Sequence, residues 1–191
     1  MLPSLIGIIA SSGGGVANSY ESIATVTVGA GGASSVSFTS IPSTYTHLQI
    51  RAFGFTNRAT FGVDGVKHRF NSDSGSNYAI HQIYGEGSTV FADGGGSQTS
   101  AGGSNLGTTV SSYPGSYVLD ILDYANTNKY KTTRLLGGTD LNGTIAGVAG
   151  YLGLYSGLWL NTAAISTITI TPNIGTAFTQ YSSFALYGIK G

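Results

Sequence analysis

Apolar and polar residues alternate along most of this chain with a period of two, and runs of Gly, Ser, Asn and Asp punctuate the alternation. That period marks strands with one buried face. Residues 23–28 form the first such stretch. Gly29-Ala30-Gly31-Gly32 then turns toward residues 35–39, where Val36 and Phe38 share a side, so the two stretches read as a hairpin. Residues 46–55 alternate cleanly: Leu48, Ile50 and Ala52 on one face, His47, Gln49 and Arg51 on the other. Residues 61–70 follow, bent at Gly65, and the turn at 71–75 leads into 78–84. Residues 117–122 are almost continuously apolar, as in a central strand. A turn at 123–128 connects them to 130–136, and further strands read at 147–159, 165–171 and 184–189. The stretch 92–108, ADGGGSQTSAGGSNLGT, is low in complexity and rich in Gly, and predicts a mobile loop or tolerated insertion. No segment carries a helical apolar period, and no fixed repeat length emerges. The expected fold is all-β: a two-sheet antiparallel β-sandwich, for which a jelly roll is one compatible connectivity.

Composition sharpens this picture. The 191 residues suit one domain with a sizeable core. Only 8% of them are charged, against roughly 25% in an average soluble domain. A surface of Ser, Thr, Asn, Gly and Tyr results, and few ions must be stripped of water when it is covered. Such a surface suits a protein packed against copies of itself or against a larger assembly. Net charge is zero, which leaves no electrostatic footprint for nucleic acid or anionic lipid. Cysteine is absent, which removes disulfides, thiolate catalysis and Cys-based zinc sites.

The chain starts MLPSLIGIIA, followed by Ser11-Ser12-Gly13-Gly14-Gly15. A secretory signal would want a positive start, which is missing, and Pro3 interrupts the apolar run. A membrane span needs ~20 apolar residues. Residues 1–19 therefore read as an anchoring arm on a flexible joint, with Leu2, Leu5, Ile6, Ile8 and Ile9 as its partner-gripping side chains. Residues 20–191 form the sandwich domain.

Candidate chemistry is sparse. His47, His68 and His81 are the histidines; no pair has a local ligand spacing, so a metal cluster would require their strands to be neighbours, with Asp64 or Asp73 as a further ligand. Asp73-Ser74-Gly75-Ser76-Asn77 resembles a calcium loop without the distal acidic ligand. Asp120 and Asp123 are the nearest carboxylate pair. Asp123 suits a turn cap with Asn126 and Asn128, and Asp120 suits a cross-strand contact with Arg134. No G-x-S-x-G elbow or phosphate-binding loop occurs. No catalytic residue, metal or cofactor is expected. Tyr151, Tyr155 and Trp159, four apart, suit either ordinary core and interface packing or a sugar-stacking platform.

Several longer runs carry a resemblance. They are Ile41-Pro42-Ser43-Thr44-Tyr45-Thr46-His47-Leu48-Gln49-Ile50-Arg51, Phe70 to Tyr78, Tyr117 to Lys131, Ser156-Gly157-Leu158-Trp159 with Asn161 to Ile165, and Ser183 to Lys190. Together they resemble a family of tailed-bacteriophage virion proteins over most of residues 20–190. The resemblance implies a small β-rich structural protein on the particle surface, on the head as a decoration or cement protein, or on the tail as a baseplate or fibre module. Its implied partners are the major capsid protein or tail proteins of the same virion, with copies of itself as a trimer or dimer. It carries no catalytic residue over, and it implies neither nucleic acid nor membrane as a partner.

Overall fold

A computed structural model describes residues 19–191. The arm residues Leu2, Leu5, Ile6, Ile8 and Ile9 lie outside the described residues. The described chain is all-β and folds as a sandwich of two layers. Its strands are β1 (Tyr20–Thr27), β2 (Val36–Phe38), β3 (His47–Thr56), β4 (Val63–Phe70), β5 (Tyr78–Glu86) and β6 (Thr89–Gln98). Then come β7 (Ala101–Thr108), β8 (Gly115–Leu122), β9 (Lys131–Ile145), β10 (Val148–Trp159), β11 (Ile168–Pro172) and β12 (Ser183–Ile189). The wide layer runs β1-β12-β3-β8-β9-β10-β5-β6. The narrow layer runs β2-β11-β4-β7. The layers join where the end of β3, at Phe55 and Thr56, pairs with Gly107 and Thr108 of β7. That pair is parallel, so the sheet is not purely antiparallel as the sequence suggested. Gly54 marks the switch point: its φ is 151°, and a Cβ there would lie 2.3 Å from the Ser182 hydroxyl, so only glycine lets β3 pass between layers.

Three expectations need correction. The stretches around β1 and β2 do not form a hairpin: β1 pairs with β12 and β2 with β11. The segment 92–108 is not a loop, because it supplies most of β6 and all of β7. The strand expected at 130–136 continues to Ile145.

The core lies between the layers and follows the period of two. From the wide layer come Leu48, Ile50, Leu119, Ile121, Leu135, Phe184 and Leu186; from the narrow layer come Val36, Phe38, Phe70, Ile168 and Ile170. Two polar groups are built into it. Lys131 is fully buried, and its Nζ donates to the carbonyls of Asn126, Lys129 and Thr162, tying the β8–β9 turn to the segment after β10. His68 is fully buried beside Tyr117, with Nε2 2.9 Å from the hydroxyl, and its Nδ1 has no hydrogen-bond partner among the described residues.

Burial pushes the His68 imidazole down from 6.5 to about 3. In the unfolded chain the ring takes a proton near pH 6.5; in the folded chain it stays neutral until about pH 3. Its contribution to stability is therefore full above pH 6.5 and falls as pH drops through that window, by about 1.4 kcal/mol per pH unit. Denaturant unfolding at pH 7 and pH 5 should differ by about 2 kcal/mol. The variant His68→Gln should lose that difference. A difference that survives the substitution would assign it to other groups.

Candidate functional site

The outward face of the wide layer carries two adjacent rows of side chains in register. One runs Arg51–Val118–Leu136–Leu154–Ile83–Ala92 across β3, β8, β9, β10, β5 and β6. The next, two residues along, runs Gln49–Asp120–Arg134–Ser156–His81–Gly94. The first row is largely aliphatic and bare: Leu136, Leu154 and Ile83 are 53%, 57% and 50% exposed. The two rows line a concavity of about 920 Å³. Phe53, Leu152 and Val90 extend the apolar surface on the far side of the first row.

The polar row is occupied with itself. Gln49 Nε2 donates to Asp120 Oδ1 at 2.8 Å, and Arg51 Nε donates to Gln49 Oε1 at 2.8 Å. Arg134 stands opposite Asp120 in the β8–β9 register, as the sequence suggested. Its Nη1, however, donates to the Thr133 carbonyl at 2.8 Å and to Ser156 Oγ at 3.0 Å. The His81 ring lies over Gly94, where a Cβ would sit 2.4 Å from Cδ2. Arg51 also stacks on Tyr187, 5.1 Å from the ring centre. A bare aliphatic band beside polar groups that largely bond one another costs little to desolvate. His81 stands opposite Ser156 in the β10–β5 register, with no hydrogen bond between them among the described residues.

The aromatic triad does share a face, as a spacing of four on a strand requires, but it is the inner one. Trp159 is 1% exposed, packed on Phe70 and Tyr78, and its Nε1 donates to Asp73 Oδ2 at 2.8 Å. Tyr155 is buried in the same core. Neither is available as a sugar platform, because β10 turns these positions toward the narrow layer. Tyr151, nearer the open edge, is half-buried and donates to Glu86 Oε2 at 2.7 Å. The loop beginning at Asp73 is likewise no cation site, since its carboxylate accepts from Gly75 N, Asn77 Nδ2 and Trp159 Nε1. Those donors, the indole first, hold the carboxyl below its usual range. Asp123 sits in the β8–β9 turn, as expected, and pairs with Lys129 and His47, which lowers its carboxyl pKa, Lys129 contributing most. Among the described residues no three His, Cys, Asp or Glu side chains gather as metal ligands.

A second concavity was not legible in the sequence. β7, the last full strand of the narrow layer, packs against β9, β10 and β5, and β6 projects beyond it. Between β5 and β10 of the wide layer and β4 and β7 of the narrow one lies a cleft of about 270 Å³, lined by Arg58, Gln82, Tyr84, Asn105, Tyr151 and Asn173 among others. Buried Asp64 shapes one wall: it accepts from Thr56 Oγ1 and from the backbone of Ile174 and Gly175, at 2.8–3.1 Å. These bonds fix the turn that presents Asn173.

No family model matches the chain. None of the curated proteins is significantly similar to it. Among solved structures it is similar to the galectin LEC-6 of Caenorhabditis elegans, at 8% identity and a TM-score of 0.30, covering 84% of this chain and 94% of that one. A structure of botulinum neurotoxin type C, described as entering cells through two ganglioside molecules, matches at 9% identity and a TM-score of 0.11, covering 77% of this chain and 33% of that one. Both likenesses are too distant to bear on function, and the β-sandwich rests on this chain's own strand pairing.

Proposed function

We propose that this chain is a non-enzymatic structural protein of a tailed-bacteriophage virion, a head decoration or cement protein that binds the capsid lattice in many copies. The observation that carries this reading is the bare aliphatic band Val118–Leu136–Leu154–Ile83, in register across four neighbouring strands. The resemblance over residues 20–190 and a surface with few ions to desolvate support it. Each copy makes a modest contact with the major capsid protein, and many copies hold through multivalency. Dimers or trimers match the local symmetry axes of such a shell. A tail baseplate or fibre module touching host glycans is the second reading, favoured by the tyrosine-lined cleft between the two layers.

The arm tests the reading at low risk to the fold. Deleting residues 1–15 should leave strand content and unfolding midpoint unchanged but abolish co-sedimentation with purified particles. A truncated protein that binds at full occupancy defeats the assignment of the arm as an anchor. Loss of folding would instead make the arm part of the domain.

A further inference from the structure

We infer that the cleft between the layers, at β5, β7 and β10, binds a neutral saccharide unit. The inference stands apart from the placement of the chain on a particle.

Three observations carry it. The first is unspent hydrogen-bonding capacity. Several side-chain amides work for the fold: Asn57 accepts from Thr176 N and Ala177 N, Asn71 accepts from Ser166 N and Thr167 N, and Asn77 donates to Asp73. The amides of Gln82, Asn105 and Asn173 and the Tyr84 hydroxyl make no such bond within the described residues, yet all four line one cleft. Asn105 and Asn173 meet over Gly65, where a Cβ would lie 3.7 Å from Asn105 Oδ1 and 3.5 Å from Asn173 Cβ. The buried Nε of Arg58, another lining residue, also lacks a partner among the described residues. Amides that both donate and accept suit hydroxyl groups, which do the same.

The second observation is an aromatic lining. Tyr84, Tyr151 and Tyr155 all line the cleft, with the rings of Tyr84 and Tyr151 5.5 Å apart. Aromatic faces with polar tips bind the apolar faces of sugar rings.

The third is size and charge. At about 270 Å³ the cleft is slightly below the ~300–1,000 Å³ of sites for drug-sized ligands, and admits a single ring. Arg58 is its lone cationic lining residue, and its guanidinium is already engaged, stacked on Phe61 at 4.6 Å and donating from Nη1 to the Val63 carbonyl at 3.1 Å. This balance favours a neutral ligand over an acidic one.

The test uses the isotope-labelled full chain and a panel of glucose, galactose, mannose and N-acetylglucosamine at tens of millimolar, with glucuronic acid as the charged arm. Side-chain amide resonances of Asn105 and Asn173 should shift with at least one neutral sugar. Asn105→Leu should weaken that binding about tenfold, the loss of one or two hydrogen bonds, with the remaining spectrum unchanged. Asn173→Ala, at an exposed position, provides the same readout should Asn105→Leu fail to fold. Three results overturn the inference: no shift with any neutral sugar, shifts confined to the outward face of the wide layer, or binding of glucuronic acid alone. Failure here would leave particle attachment untouched, and failure of particle attachment would leave this binding untouched.

Discussion

Replacing Trp159 with Ala is expected to destabilise the fold by about 4 kcal/mol, within the ~3–5 kcal/mol typical of deleting a buried aromatic. The indole fills the space between Phe70, 5.7 Å away edge-on, and Tyr78, 6.4 Å away and stacked. Its N–H fixes Asp73, whose backbone carbonyl accepts from the Tyr78 hydroxyl at 3.1 Å. That hydroxyl in turn accepts from Phe70 N at 3.1 Å. One residue on β10 thereby holds the β4–β5 turn, and truncation leaves both a cavity and a carboxylate without its donor. Trp159→Phe retains most of the packing and should cost only the packing difference and the hydrogen bond to a charged acceptor, about 2–3 kcal/mol together. Denaturant unfolding of the three proteins measures this directly. A loss below about 1 kcal/mol for Trp159→Ala would mean that the cluster is not closed in solution.

The double variant Leu136→Asp with Leu154→Asp should behave oppositely, folding normally and losing attachment to particles. Both side chains are more than half exposed, so little burial is lost, and the repulsion of two carboxylates facing each other in the β9–β10 register costs the folded monomer only up to ~1 kcal/mol. At a covered interface each leucine contributes up to ~1.5–3 kcal/mol, and two carboxylates would have to be desolvated without partners. With about 1.4 kcal/mol per factor of ten, occupancy should fall by at least two orders of magnitude. Ser37→Asp, on the outward side of the narrow layer, is the matched control and should bind as the unmodified chain does. Equal loss in both variants would point to general charge repulsion rather than to this face.

Much of the fold was legible because burial on one face writes itself into the sequence. Leu48, Ile50 and Ala52 alternate with His47, Gln49 and Arg51, and β3 places them accordingly. Pairing partners were not legible. The Gly-rich turn after β1 suggested a hairpin, but short turns do not dictate which strands meet, and β1 and β2 find partners from the far end of the chain. β6 escaped notice because it is an edge strand whose residues are mostly exposed, so no alternation marks it, although its backbone pairs with β5 along most of its length. The burial of Lys131 left no mark in the sequence because backbone carbonyls, not carboxylates, satisfy it. The outward band hid for a related reason. Near-continuous apolar character at 117–122 suggested a central strand, and β8 does lie between β3 and β9, but one of its faces is open and Val118 is 38% exposed there. The spacing of Tyr151, Tyr155 and Trp159 gave their common face correctly, but only the layer packing decides that this face looks inward.

The most direct measurement follows the tagged protein through gradient sedimentation together with the tailed-phage particles to which the proposal assigns it. The account expects the protein in the particle fraction, in many copies per particle, released as a folded monomer or small oligomer without activity on bacterial glycans. Finding it wholly in the particle-free fraction, as a lone monomer that turns over a substrate, would contradict it.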